Sequence, residues 1–573
     1  MEKRAILAAV LMAAVFIIYQ TFFLPMEPPA PQRPPAETTT APPPPTEPTP
    51  AAPPTVTPTP RVAPGPRPPQ RLAAVEAPLY RAVVSSEGGK LQELILKYRG
   101  EKPVVIVGEL GPTGLHLSPD PSVPAAVVPM ALSAEAVSVK PGRPESLVLA
   151  GETNGLRVNQ TLRFDPASYV IGVGVRVENG SGAPRKVTVE LPLASRISWA
   201  GTTEKFPGQH PIEVVWSVRG VVDRSPHWMN PSLEGLVEQP PQLGLEGEWI
   251  AIGSVWYLAA LMPKTGHFQL VTMVEKPGEA AKNGRPANPG RVTIGARATP
   301  EIAPGKVWEG EVAIFAGPKE YHLLASLGLE ETINFGGFPI PYYWGGLPMR
   351  WFGVPILQLM NWTYKHIGNY GVAIILLTVI SKVLFYPLTV KSMRSMKAMQ
   401  ALQPQVNALR SKYQKDAQAL QRETLALYRK HKVNPMGGCL PMVAQVPIFY
   451  ALYLALSVSV ELQNAAFLCF GRLFGVDLWI CDLAAHDPTY VLPVLMGVTM
   501  FIQQKMTPTM GDPRQAKMML FMPVIFTFMF LNLPSGLVLY WTVSNVLQIL
   551  QQKLMDRPAR TRATREAKDA SRA

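Results

Sequence analysis

From Gly371 to Leu388 the chain reads GVAIILLTVISKVLFYPL, an apolar run with a single charge, Lys382. Such a run suits the interior of a bilayer, where a lysine at a helix centre costs about 2.5 to 3.5 kcal/mol. Water, a partner or a function has to offset that cost. Two readings of Lys382 stay open at this point. Either it lies near one end of the span and stretches its stem to the headgroups, or it marks a site inside the membrane.

Other segments repeat the pattern. Ala5 to Leu24 carries no charge and is long enough to span a bilayer. A cleaved signal peptide is the alternative, but its apolar core is normally shorter and ends at small residues, whereas this run ends in Phe22-Phe23-Leu24-Pro25; a retained anchor fits better. After Gly345 come an amphipathic stretch, Met349 to Tyr364, suited to lying in the interface. The Lys382 run follows, and then apolar runs at about Gly438–Val460, Thr489–Gln504, Met518–Leu533 and Gly536–Gln551. With the anchor, this makes six spans, the last two joined by Pro534-Ser535 as a tight hairpin.

Between anchor and membrane half the composition changes twice. Pro25 to Gln70 holds 20 prolines in 46 residues, an extended tether that cannot pack a core. From about Ala73 to Gly317 apolar residues alternate with period two. Tyr169, Ile171, Val173, Val175 and Val177 share a face, and beyond the turn at 178–185 Val187, Val189, Leu191 and Leu193 do the same, which predicts a hairpin with one buried side. Similar runs at Tyr80–Val84, Phe268–Val274, Arg291–Ala296 and Glu309–Phe315 predict a large antiparallel β domain, a sandwich, outside the membrane.

Charge sets the orientation. Thr389–Gly437 carries ten Lys or Arg against Asp416 and Glu423, a net of +8, and belongs in the cytoplasm. Glu461–Pro488 carries one Arg against four acids, a net of −3, and belongs outside. Six crossings then leave Lys3, the basic loop and the basic tail on one side and the β domain on the other.

The net charge of +13 therefore reads as an anionic membrane surface. The basic loop and tail can also meet ribosomal RNA electrostatically, without reading any nucleic-acid sequence. Three cysteines, with no CxxC, HExxH or GxxxxGK[ST], support neither a metal hydrolase nor a nucleotide-driven machine, and no cofactor is expected. Cys469 and Cys481 lie in the outside loop, where oxidation occurs; a disulfide and two free thiols are equally consistent with that. Within the basic loop Met393, Met396, Met399, Leu402, Val406, Leu409 and Tyr413 recur at helical spacing, and a second helical stretch at 417–430 predicts a helical hairpin with Pro404 bending its first arm. Its methionine stripe is either the hairpin's own core or an adaptable surface for varied apolar segments.

Thr378, Ser381, Gln445, Thr499, Gln503, Gln504, Thr542, Ser544, Asn545 and Gln548 place polar groups in the spans, Gln445 between Pro441 and Pro447. No intramembrane acid accompanies them, which counts against a cation-coupled transporter, as does the lack of an internal repeat. A sugar-modifying enzyme would put its chemistry in the β domain, but no spacing there singles out an acid/base pair. An enzyme is not expected.

The stretches YPLTVKSMRSMKAMQALQPQ (386–405), KVNPMGGCLPMVAQVPIFYALY (432–453), VLPVLMGVTMFIQQKM (491–506) and FMPVIFTFMFLNLPSGLVLYWTVSN (521–545) resemble, in order, the YidC membrane protein insertases of the Oxa/YidC/Alb family, Gram-negative type. The resemblance implies a multi-domain, polytopic α-helical inner-membrane protein. Its parts would be a transmembrane anchor (1–24), a periplasmic linker (25–72), a periplasmic all-β sandwich of sugar-mutarotase type (73–340) and an interfacial helix (345–366). They continue with a five-helix core (367–555) that includes a cytoplasmic hairpin (389–437), and a basic cytoplasmic tail (556–573). It implies a hydrophilic groove open to cytoplasm and lipid, in which Lys382 takes the place of a residue that is usually Arg. Thr378 and Gln445 match groove positions, Tyr540 and Trp541 match the client-contacting last span, and the hairpin matches the client-receiving loop. The partners implied are nascent membrane proteins, the ribosome, the Sec translocon and inner-membrane lipids.

Overall fold

Period-two alternation puts one face of a strand out of water and leaves the other wet, and the β domain obeys it. The computed structural model describes residues 70–570, apart from 104–113, 199–209, 226–232, 238–239, 242, 279–287, 336, 339–346, 414–415, 432, 434–439, 474–475 and 507–512. The expected anchor and nearly all of the proline-rich linker lie outside the described residues.

A nine-stranded antiparallel sheet has at its centre Tyr257–Thr265, Val307–Pro318, Val170–Asn179 and Leu156–Phe164, in that order. A five-stranded sheet, centred on Thr188–Arg196 between Arg291–Ala298 and His116–Ser118, shares one hydrophobic core with it. A second five-stranded sheet is built on Leu72–Glu76, Tyr80–Ser85 and Leu91–Lys97. Tyr169, Ile171, Val173, Val175 and Val177 are all buried, as the alternation requires.

The hairpin expected between these residues and Val187–Leu193 does not form. Val170–Asn179 pairs with Leu156–Phe164 and Val307–Pro318, while Thr188–Arg196 lies in the other sheet. The connection explains the crossing: the buried Asn179 side chain donates to the Ala183 and Ile302 carbonyls, 2.8 Å each, and accepts from the Ser181 hydroxyl at 2.6 Å. That knot turns the chain over to the facing layer. Alternation identifies a buried face, and a facing sheet covers it as well as a neighbouring strand does.

The chain leaves the β domain through a short helix, α1 (Tyr321–Leu327), ended by Gly328 at φ 71°. Then come α2 (Arg350–Ile367), α3 (Tyr370–Ala401), α4 (Gln403–Lys412), α5 (Ala417–Lys430), α6 (Leu440–Val458), α7 (Val491–Met506), α8 (Pro513–Phe530) and α9 (Ser535–Ala570). Among the described residues α3 is the one helix long and apolar enough to cross a membrane by itself; α6, α7 and α8 contain shorter apolar helical stretches. α2 buries Ile356, Leu357 and Met360 and exposes Trp351, Trp362 and Ile367. Asn369 starts α3 by accepting from the N–H groups of Gly371 and Val372, an N-cap that fixes where the apolar run begins.

The methionine-bearing segment is continuous with α3 and breaks at Leu402, so Pro404 stands in the first turn of a new helix, α4, and does not bend the old one. Asp416 caps α5. α9 runs on far past the apolar segment. The turn before it is pinned from outside: the Ser535 N–H and hydroxyl both donate to the Ala485 carbonyl at 2.7 Å.

Candidate functional site

Lys382 stands one turn after Thr378 on α3. Its ammonium donates to Oε1 of Gln548 on α9 at 3.2 Å, joining residues 166 positions apart. Lys382 is half-buried, while the next two residues, Val383 and Leu384, are 68% and 67% exposed. The lysine therefore turns inward toward α9 and its neighbours turn outward. Pro387 lies within α3 and lacks an N–H, so the Val383 carbonyl loses its usual helical donor beside the lysine.

Thr378 is fully buried, and its hydroxyl donates to the Ile374 carbonyl of its own helix at 2.7 Å. Ser381 does the same toward the Thr378 carbonyl at 3.1 Å. Gln445 lies on α6, and its side chain falls outside the described part of the chain. Tyr540 is buried, and Trp541 sits in an aromatic cluster with edge-on contacts to Phe449 of α6 at 4.8 Å and Phe530 of α8 at 5.0 Å. These rings lock α6, α8 and α9 together. α9 is tied to α7 by polar bonds: Asn545 Nδ2 donates to Thr499 Oγ1 at 3.3 Å and Gln552 Nε2 to the Met506 carbonyl at 2.5 Å. Gln548 thus lies on α9 between the two polar contacts of Asn545 and Gln552, beyond the aromatic cluster at Trp541.

Met393 and Met399 are buried and Met396 is half-buried, so most of the stripe is occupied by packing within the protein. Cys469 and Cys481 are joined by a disulfide with Cα atoms 4.6 Å apart. It crosses the hairpin of Leu468–Leu473 and Val476–Ile480, where Phe470 stacks on Trp479. Among the described residues no cluster of His, Cys, Asp or Glu could hold a metal.

Two further assemblies carry no signature in the sequence. The first joins the β domain to the start of α3 and the ends of α2 and α6. Arg99 donates to the carbonyls of Glu461 and, at 3.3 Å, Gln463, and its guanidinium lies 5.7 to 5.8 Å from the ring centres of Tyr98, Tyr364 and Tyr370. Trp256 Nε1 donates to the Ser457 carbonyl at 3.0 Å, and the Tyr257 hydroxyl to Gln463 Oε1 at 2.9 Å. Burial, then the charge of Glu461, pushes the Glu320 carboxyl above its ordinary range. The second assembly is a buried ion cluster. Glu213 accepts from Arg224 at 2.8 Å, Lys319 at 3.2 Å and Asn334 at 3.3 Å. Burial holds the Lys319 ammonium below its usual range, against the opposing pull of Glu213. These partners are more than 100 residues apart except for Arg224, so no local pattern points to them.

The sequence model of the family described as 60Kd inner membrane protein matches residues 362–562, and that of the YidC periplasmic domain matches residues 72–351. The membrane protein insertase YidC of Syntrophus aciditrophicus is 34% identical over 594 residues, covering 98% of this chain and 100% of its own. That of Geobacter sulfurreducens is 38% identical over 585 residues, covering 98% and 99%. A solved YidC insertase structure with its first transmembrane domain resolved aligns over 84% of this chain and 94% of its own, at 19% identity and a TM-score of 0.35.

Proposed function

The chain belongs to the YidC family of membrane protein insertases, and from that premise we propose that client segments pass through a hydrophilic groove around Lys382. It is an inner-membrane protein with a periplasmic domain, and its function is membrane protein insertion, without enzymatic chemistry.

The observation that carries the groove is the inward turn of Lys382 to Gln548, between helices with lipid-facing apolar surfaces. A charge held by a neutral amide keeps its net charge and can still attract an acidic or polar group of an arriving chain. Binding stays weak, as release demands. Partition of the client's Leu, Ile, Phe or Val side chains into lipid, about 0.3 to 0.6 kcal/mol each at a helix centre, then drives departure. Thr378 and Gln445 belong to the same groove in this reading, and Tyr540 and Trp541 to the last span that the client touches.

The reading includes six transmembrane helices, with both termini and the hairpin of α4 and α5 in the cytoplasm. The basic hairpin receives the client, it and the basic tail meet the ribosome, and the protein works alone or beside the Sec translocon. The +8 charge of residues 389–437 against −3 for 461–488 supports this orientation.

Site-specific crosslinking from positions 382, 445 and 540 to a ribosome-stalled nascent membrane protein tests the groove. Capture at these positions is expected. Capture only at lipid-facing controls such as 384 and 528 would refute it.

A further inference from the structure

We infer that Gln548 is a positioning residue that sets client specificity: it holds Lys382 inward and supplies a second N–H donor, so that the two side chains together seat a client carboxylate. The inference rests on the groove reading and adds to it.

An ammonium donates and never accepts. Its contact with Gln548 therefore fixes the carboxamide: Oε1 accepts from Lys382, and the NH2 group on the same amide carbon is left as a donor beside it. One ammonium hydrogen is engaged by Oε1, and two remain. Among the described residues Lys382 has no other hydrogen-bond partner. Two neighbouring groups, Nζ and Nε2, are thus donors in one place on facing helices. A carboxylate has two oxygens to receive them.

The electrostatics select the ligand. α3, α6, α7 and α8 contain no Asp or Glu, and neither does α9 before Asp556. The charge of Lys382 is not neutralised inside the membrane half, and Gln548 contributes no charge. An incoming Asp or Glu completes the pair, whereas a neutral polar residue gains only hydrogen bonds. A guanidinium carries several donors in one rigid fork, which a lysine lacks. Lysine plus glutamine divides that fork between two helices. The arrangement predicts that an arginine at 382 makes Gln548 dispensable.

The test measures insertion by the full-length protein, in proteoliposomes, of two versions of one single-span client whose translocated segment carries either two Asp or two Asn. Gln548→Leu should lower insertion of the Asp client about threefold to tenfold, the worth of one modest hydrogen bond, and lower the Asn client by less, because a hydrogen bond to a carboxylate is about twice as strong as one to a neutral amide. Gln548→Glu, which neutralises Lys382 from within, should lower the Asp client further. Lys382→Arg combined with Gln548→Leu should restore it. Equal loss of both clients without rescue by arginine would make Gln548 merely structural and overturn the inference, as would wild-type insertion of both clients by Gln548→Leu. Crosslinking separates the levels: capture from position 382 with no effect of Gln548 defeats this inference alone, whereas failure of capture defeats the groove itself.

Discussion

The carboxylate of Glu461, three residues past the end of α6, accepts the backbone N–H of Tyr321, the first residue of the helix that leaves the β domain, at 3.4 Å. The same carboxylate accepts from Asn361 Nδ2 of α2 at 3.3 Å and from the Ser459 hydroxyl at 2.7 Å. One buried acid therefore gathers the β domain, the amphipathic helix and the end of α6. Glu320, beside it, is where pH should act.

Glu320 titrates above its ordinary range because it is buried and faces Glu461, with Arg99 and His322 opposing. An acid with a raised pKa in the folded state destabilises that state fully above the raised value. The penalty shrinks as pH falls through that value and is gone below the unfolded pKa, about 4.3. Hydrogen exchange at α1 should slow as pH drops through this window. Glu320→Gln should exchange more slowly than the natural protein at pH 7.5 and lose this part of the pH dependence; an unchanged profile would remove Glu320 from the joint's energetics.

Glu213→Ala should destabilise the β domain by about 3 to 5 kcal/mol, because it strands the buried Lys319 and Arg224 without their anion. Arg224 and Lys319 also donate to the Glu331 and Thr332 carbonyls, at 2.6 and 2.9 Å, so the segment leading to α2 should loosen with the cluster. Thermal unfolding in detergent, with proteolysis near 331 as a local probe, measures both effects.

Lys382→Arg should retain activity and Lys382→Glu should lose it. Growth of an insertase-depleted strain carrying each variant decides this. Equal growth would return Lys382 to a side chain that only reaches for the headgroups.

Gly497→Ala should cost about 1 to 3 kcal/mol, since a Cβ there overlaps the Thr527 hydroxyl where α7 meets α8. Removing that hydroxyl in Gly497→Ala/Thr527→Ala should recover most of the loss, a coupling that a double-mutant cycle of thermal stability reads directly.

Thiol labelling of the denatured chain should find one reactive cysteine before reduction and three after, since Cys469 and Cys481 are paired and the chain has three. Three before reduction would mean that the hairpin of Leu468–Leu473 and Val476–Ile480 forms without its crosslink.

Much of the architecture was legible in single segments. A charge-poor apolar run from Gly371 is a helix in lipid because its backbone groups must bond to each other, and Asn369 marks its start. Val173, Val175 and Val177 alternate because a strand has two faces. Local sequence carries such information because it depends on neighbours within a turn or a pleat. It misled where only the buried face was local: Val170–Asn179 and Thr188–Arg196 bury the right residues and yet belong to different sheets.

The sequence by itself determined that Lys382 had to be offset by something and that a β domain precedes an apolar helical half. Only the tertiary structure decided what meets the lysine, because a separation of 166 positions from Gln548 leaves no periodicity that links them. The same holds for Arg99 and Glu461, 362 positions apart, and for Glu213 and Lys319, 106 apart. Hydrogen bonds and ion pairs are satisfied by proximity in space, and in a chain of this length the partner of a buried polar group is chosen by packing.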